Sequence, residues 1–340
     1  MKRSIFLLLL FLSFSMVEVS RAQEAQCPPR PPFDPTCPNA HDPVMALGED
    51  GRYYCFMTGM NISVLSSADL KEWREEPAVL SQTPQWAIDT VPGYQGHTWA
   101  PDISYHNGMW YLYYSCSTFG KNTSAIGLAV NKTLDPKSPN FKWEDKGIVI
   151  ASVRKKDNWN AIDPNLIVSQ DGDPYLIFGS FWDGIQLVEL SREDYQTPVA
   201  MPATIARRVD RRLPKSGENA IEAPFVFEHN GYYYLFVSFD YCCKGENSTY
   251  RTVYGRSRDI GGPYIDAKGQ PMQYGGGTRL YGPDDEYYGI GHCSVYQFNG
   301  RCYFVAHGYA KSHRGAAKLF IRPLFFDENG WIVSPYSDEE

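Results

Sequence analysis

His229-Asn230-Gly231-Tyr232-Tyr233-Tyr234-Leu235-Phe236 is the stretch from which the fold is read. Asn-Gly ahead of a β-prone apolar run is a hairpin signal, because tight hairpin turns need residues that tolerate positive φ. The signal recurs along the chain. His106-Asn107-Gly108 leads Trp110 to Tyr114, and Phe298-Asn299-Gly300 leads Cys302 to Val305. Asp171-Gly172-Asp173 leads Tyr175 to Phe178, and Glu49-Asp50-Gly51 leads Tyr53 to Phe56. About ten residues before each run sits a polar residue in a short motif: Asp42, Asp102, Asp163, Glu222 and His292, separated by 60, 61, 59 and 70 residues. Further strand-like segments follow each run, such as Ile62 to Ser66, Ala125 to Val130, Ile185 to Leu190, Thr252 to Arg256 and Lys318 to Pro323. Five such units predict an all-β fold, a five-bladed β-propeller with four-stranded blades around a central channel. A β-sandwich is the alternative, but it does not account for a hairpin cue in every unit.

This architecture carries a functional expectation. The innermost strands of a propeller converge on its axis, so one residue per blade can meet at one end of the channel. Asp42, Asp102, Asp163, Glu222 and His292 are then expected to line one pocket. Clustered carboxylates raise one another's pKa, a cost usually found where it is used. The bland readings are a turn opener for each Asp-Pro, a surface charge for Glu222 and a core histidine for His292; recurrence at one period weighs against them together. Two carboxyl groups on opposite faces of a sugar, one protonated and one activating water, are what inverting glycoside hydrolysis requires.

The chain ends and composition narrow the class. Lys2 and Arg3 precede an apolar run from Ile5 to Leu12, and the stretch closes at Ser20-Arg21-Ala22. That is the form of a secretory signal peptide, over residues 1–22, and the run is too short to span a bilayer. A Pro-rich lead over 23–36 and a single propeller over 37–340 follow. The formal charge is -7, and removing a segment of net +2 leaves about -9, with no basic stripe for a phosphate backbone. Nucleic acid and membrane partners are therefore not expected. Sequons at Asn61, Asn122, Asn131 and Asn247 fit a secreted glycoprotein. Eight cysteines in this length are too sparse for a disulfide framework and show no zinc spacing, although Cys27 and Cys37 could staple the lead.

The chain resembles glycoside hydrolase family 43 and, within it, the arabinanases. The matching segments include Asn39-Ala40-His41-Asp42-Pro43, Gly96-His97-Thr98-Trp99-Ala100-Pro101-Asp102 and Ala161-Ile162-Asp163-Pro164-Asn165. They continue through Gly179-Ser180-Phe181-Trp182-Asp183-Gly184-Ile185, Glu222-Ala223-Pro224-Phe225, Leu235 to Gly245 with its paired Cys242-Cys243, and Gly289-Ile290-Gly291-His292. The resemblance implies a five-bladed propeller and an inverting mechanism. It implies Asp42 as general base, Glu222 as general acid, and Asp163 as the group that raises the acid's pKa and orients it. His292 resembles the family's histidine near the channel axis, beside a metal, usually calcium, bound mostly through water. Imidazole is not a preferred calcium ligand, so the chemistry permits that ion without demanding it. No organic cofactor is implied.

Sugars also need flat apolar surfaces. Trp99 is the best candidate for a stacking platform, with Phe119 and Trp182 behind it, and His41, Asp102 and Ser180 as polar contacts in the cleft. The expected substrate is arabinan, a pectic polysaccharide, cut internally by a monomeric, extracellular enzyme. An exo-acting arabinofuranosidase or β-xylosidase of the same family would use the same three carboxylates. A carbohydrate-binding propeller without catalysis would not need all of them.

Overall fold

The computed structural model describes residues 33–213 and 217–335; the expected signal peptide, most of the Pro-rich lead and Cys27 lie outside these. In the described chain the Asn-Gly cues become hairpins. Asn107 and Gly108 take φ of 51° and 79°, Asn230 and Gly231 51° and 73°, and Asn299 and Gly300 49° and 76°. Left-handed conformation at both central residues is the type I′ turn, whose twist matches the strands it joins. The turns set the pairings His106 with Met109, His229 with Tyr232 and Phe298 with Arg301.

The first strands are β1 (Val44–Leu47), β2 (Tyr53–Met57), β3 (Gly59–Met60), β4 (Ser63–Ser67) and β5 (Trp73–Glu76). β1-β2-β4-β5 form an antiparallel sheet, while β3 pairs with the next strand, β6 (His97–His106). β6 continues through β7 (Met109–Cys116), β8 (Ser124–Asn131) and β9 (Glu144–Ser152). A third sheet runs β10 (Asn165–Val168), β11 (Pro174–Phe178), β12 (Ile185–Glu189) and β13 (Ala203–Ala206). The last comprises β14 (Ile221–His229), β15 (Tyr232–Phe239), β16 (Arg251–Ser257) and β17 (Thr278–Tyr281), then β18 (Tyr287–Phe298), β19 (Arg301–Ala310) and β20 (Ala316–Leu324). Its two halves are joined by one parallel pair, Arg251 with Ile290. The chain is nearly all β. One six-residue helix, α1 (Gln85–Thr90), and three single 3₁₀ turns are the helical content of the described residues. None is long and apolar enough to cross a membrane.

The start of the chain returns to its end. Asn39 bridges Lys318 of β20, with Ala40 N–H donating to Ala317 O (3.2 Å) and Leu319 N–H to Pro38 O (3.1 Å). Apolar clusters lie between successive sheets, and neighbouring residues of one strand point into different clusters. On β7, Tyr113 packs with Leu166 and Phe178 of the third sheet, whereas Tyr114 packs with Phe56 of the first. On β15, Leu235 packs with Ile177 and Phe236 with Phe304; on β19, Phe304 faces back and Val305 packs with Met45 and Cys55 of the first sheet. Sheets covered on both faces read as continuous apolar runs rather than alternation, which is why the tyrosine-rich runs carry so few polar residues. Cys55, an odd residue for such a run, is fully buried in this packing. Burial pushes its thiol up, so it stays neutral and behaves as a small apolar side chain.

Of the four sequons, Asn247 is exposed. Asn61 is half-buried, and its Oδ1 accepts from Thr83 (3.1 Å). Asn122 and Asn131 are buried, and Asn122 donates to Asp157 O and Trp159 O. In the folded chain the Asn122 and Asn131 sequons do not offer their amides to solvent.

Candidate active site

A repeated strain motif builds the site. Asp42, Ala100, Asp163, Ala223 and His292 all take left-handed φ, at 54°, 39°, 58°, 54° and 51°. Such values are costly for residues with a Cβ and persist where the surroundings hold them. Here each backbone N–H is held by a side chain from a neighbouring unit. Ala100 donates to Thr58 Oγ1 (2.8 Å), Asp163 to Ser115 Oγ (3.0 Å) and His292 to Ser238 Oγ (2.8 Å). Asp42 donates to His307 Nδ1 (3.1 Å) and Ala223 to Asp163 Oδ2 (3.1 Å). The motif corrects the sequence register. The five polar residues are not structurally equivalent: in two units the left-handed position is Ala100 or Ala223, with Asp102 two residues later and Glu222 one earlier. The pairing shifts between Trp99 and Asp102, Glu222 and Phe225, and Gly291 and Ser294 mark the bulges that carry it.

Asp42 is buried and surrounded by donors. Thr58 Oγ1 donates to its Oδ2 (2.5 Å), His41 Nδ1 lies 2.9 Å from Oδ2, and His292 Nδ1 lies 3.0 Å from Oδ1. Burial opposes its ionisation, but the charges and hydrogen bonds of His292 and His41 prevail and hold the carboxyl well below its usual range. The reciprocal pull raises both imidazoles against their own burial, His41 well above its ordinary value and His292 to about 9. His307 is the opposite case. It is fully buried, its Nδ1 accepts the Asp42 N–H, and burial, with the positive charges of His41 and His292, holds it well below its ordinary pKa. A neutral ring accepting at Nδ1 carries its proton on Nε2, which faces Tyr309 Oη at 3.2 Å. Tyr309 Oη also accepts from Cys243 N–H (2.6 Å) and meets His41 Nε2 (3.1 Å), while His41 stacks on His307 at 4.1 Å.

Glu222 is buried with a hydroxyl donor on each oxygen: Ser180 Oγ to Oε2 and Tyr250 Oη to Oε1, both 2.8 Å. Asp163 accepts the N–H of Ala223, so it fixes the backbone beside Glu222. Burial pushes Asp163 up to about 8; His292 opposes this, and the charges of Glu222 and Asp42 add to it.

Asp42, Asp163, Glu222, His41, Ser180 and His292 are thus brought together. Asp102 is placed otherwise. It is 2% exposed, and its oxygens accept from Asn165 Nδ2 (3.1 Å) and Leu166 N–H (2.7 Å) on β10. Asn165 in turn accepts from Val226 N–H of β14 (2.8 Å). Asp102 therefore clamps sheets together rather than opening onto a cleft. Trp99 is half-buried, with its indole N–H donating to His97 Nδ1 (2.9 Å). Trp182 is half-buried on the loop after β11, and Phe119 is 76% exposed on the loop after β7. Sequence reasoning missed Thr58, Ser115, Ser238, Tyr250, His307 and Tyr309. A signal existed for several of them: Thr58, Ser115, Ser238 and His307 recur at or near the end of their unit's second strand, as the predicted Ser180 does.

A buried ionised carboxylate beside a carboxyl pair in which one member is pushed up to about 8 is a layout for acid–base cleavage of a glycosidic bond. The comparisons agree with that class. The model of glycosyl hydrolases family 43 matches residues 34–332, and the chain belongs to this family. It is 44% identical over 308 residues to an extracellular exo-α-(1→5)-L-arabinofuranosidase of Cellvibrio japonicus, covering 89% of this chain and 87% of that one. It is 42% identical to an extracellular endo-α-(1→5)-L-arabinanase of Bacillus subtilis, covering 86% of each. Among solved structures, an exo-1,5-α-L-arabinanase from a bovine ruminal metagenomic library superposes with TM-score 0.85 at 59% identity, covering 89% of this chain and 99% of that one.

Proposed function

We propose that this protein is a secreted, inverting glycoside hydrolase that cleaves α-1,5-L-arabinofuranosidic bonds in arabinan. The observation that carries the reading is the convergence of Asp42, Asp163 and Glu222 in one buried site, Asp42 between two imidazoles and Glu222 between two hydroxyl donors, on a chain whose relatives act on arabinan. Asp42 takes the proton from the attacking water. Glu222, set by Ser180 and Tyr250, gives a proton to the leaving oxygen. Asp163 and Glu222 cannot both ionise cheaply in a buried site, so the pair keeps one proton near neutrality, and Asp163 orients Glu222 through Ala223 N–H. Trp99, Trp182 and Phe119 are the proposed stacking surfaces, with His41 and Ser180 as polar contacts. Asp102 serves by holding β6 to β10.

The architecture proposed is a five-bladed propeller over residues 37–340, after a signal peptide over 1–22 and a lead over 23–36, acting as an extracellular monomer. Three features support the blade count. The last sheet divides at a single parallel pair, the left-handed motif occurs five times, and the apolar clusters link each unit to the next and the last to the first. A hydrated calcium ion is the proposed metal. His292 turns Nδ1 to Asp42 and makes no side-chain hydrogen bond through Nε2 among the described residues, with Asp163 and Glu222 near enough to act on its charge. Carboxylates crowded into one buried site suit a water-mediated cation that would offset their repulsion, with His292 neutral once the ion is bound. Chelation followed by dialysis is expected to lower kcat and Tm, and added Ca²⁺ to restore both; an unchanged chelated enzyme removes the ion from the proposal.

Internal cleavage is the expected mode, and the exo mode is the second reading, favoured by the 59% identical exo-acting structure. Product sizes from linear α-1,5-arabinan decide between them. Mixed oligosaccharides early in the reaction are expected. Release of one short product throughout establishes exo action, and no release removes arabinan as substrate.

A further inference from the structure

Outside the catalytic cluster the chain builds an open cavity of about 560 Å³, lined by Lys121, Arg154, Lys155, Lys156, Asp157 and Trp182 among others. Its walls come from three loops that hydrogen bonds tie together. The buried Asn122 donates to Asp157 O (3.3 Å) and Trp159 O (3.1 Å), and Asp183 N–H donates to Asn158 O (3.0 Å). Lys156 and Asp157 N–H both close onto Val153 O, and this turn, with Lys155 at φ 68°, presents three consecutive cations. The cations outnumber the one acidic lining residue four to one. No side-chain hydrogen bond or ion pair of Lys121, Arg154, Lys155 or Lys156 is found among the described residues, whereas Arg207, Arg208, Arg212 and Arg251 each meet an aspartate. Asp157, the acidic lining residue, spends Oδ2 on Val153 N–H (2.8 Å). Four unpaired cations around one cavity repel one another in a protein of formal charge -7, a placement that a neutral arabinose polymer does not explain.

The cavity also adjoins the catalytic frame. Trp182 follows Ser180, the Glu222 donor, by two residues, and the cationic turn runs through Asn158 to Asn160, which accepts from Ser124 Oγ (2.7 Å), and on to Asp163. We propose that this cavity is an anionic subsite for uronate carboxylates, so that the enzyme is held on acidic polysaccharide chains that bear its neutral arabinan. The lysine and arginine heads pair with the carboxylates. The inference rests on the arabinan-hydrolase reading and deepens it.

The test is affinity electrophoresis of the full chain in polygalacturonate and in its fully methyl-esterified form, at 20 and 300 mM NaCl. The expected result is retention by polygalacturonate at least about tenfold stronger than by the ester at low salt, collapsing at high salt as the Debye length falls below about 10 Å. The variant K121Q/R154Q/K155Q/K156Q, all on exposed loops, is expected to lose that retention and to keep kcat/KM on linear neutral arabinan. Equal retention by the two polymers, or retention that survives in the variant, overturns the subsite. The hydrolase reading fails separately, through no release of sugar from neutral arabinan by the unmutated protein.

Discussion

Asp42→Asn lowers kcat on linear α-1,5-arabinan by about 10³- to 10⁴-fold, the upper part of the range for removing a general base. The backbone tolerates the change, because φ at this position is 54° and Asn is among the residues that accept it most readily. Asn keeps an oxygen for Thr58 Oγ1 and His41 Nδ1 and the N–H for His307 Nδ1, while its amide nitrogen replaces the oxygen that faces His292 Nδ1. What is lost is the charge. The amide cannot take a proton from water, and His41 and His292 lose the neighbour whose charge raises their pKa values. Two imidazoles that titrate lower are therefore a second signature, visible by NMR of the histidine ring carbons. Affinity for an arabinan oligosaccharide, measured calorimetrically, should stay within about threefold, since base removal acts on the transition state rather than on ground-state binding. A variant retaining more than about a tenth of kcat means that another group activates the water.

How much of this was legible in the sequence depends on what kind of interaction carries it. Turn chemistry is local, so Asn107-Gly108, Asn230-Gly231 and Asn299-Gly300 announced hairpins that the structure forms with both residues left-handed. The apolar runs led by these three and by the two Asp-Gly cues became β2, β7, β11, β15 and β19, and the downstream segments became β4, β8, β12, β16 and β20. Asp42, Asp163, Glu222 and His292 also stood out, because a carboxylate or imidazole at a recurring distance from a hairpin is visible in one dimension. Asp102 stood out equally and was misplaced, because residue counting does not register a bulge. The shift between Trp99 and Asp102 puts Ala100 at the left-handed position and turns Asp102 into the gap between sheets, where Asn165 and Leu166 take both of its oxygens. Tyr309 and Tyr250 were not legible for the opposite reason. Tyr309 lies inside the long run of β19 and Tyr250 just ahead of β16, where both read as core, and only the closing of the last unit on the first brings His307 to the Asp42 N–H.

The site is also coherent as a charge balance. One carboxylate is held ionised by two imidazoles, one carboxyl is pushed up by burial, and the third sits between two hydroxyl donors. Asp163 feels Glu222, Asp42 and His292 together, so a change at any of them should move the pH profile and not only the rate.

Glu222→Ala supplies the most discriminating case. On arabinan, whose leaving group is a sugar alkoxide that must be protonated, kcat falls by about 10²- to 10⁴-fold. On a 2,4-dinitrophenyl arabinofuranoside, whose leaving group departs as a stable anion, the loss should be less than about tenfold, because that bond breaks without an acid. The pH profile adds a second discrimination. In the unmutated enzyme the proton kept by the Asp163–Glu222 pair is present below the raised Asp163 pKa and lost as pH rises through about 8, so activity on arabinan should fall across that limb. Removing Glu222 removes part of the push on Asp163, and activity on the activated substrate no longer needs the proton, so its profile should lose the limb near 8. The change also leaves Ser180 Oγ and Tyr250 Oη without their acceptor in a buried site, a cost of about 1–3 kcal/mol per orphaned group that lowers Tm without abolishing the fold. Equal losses on both substrates, with the limb near 8 intact, would show that Glu222 holds the site together and that the acid is another residue, with Asp163 the first to test.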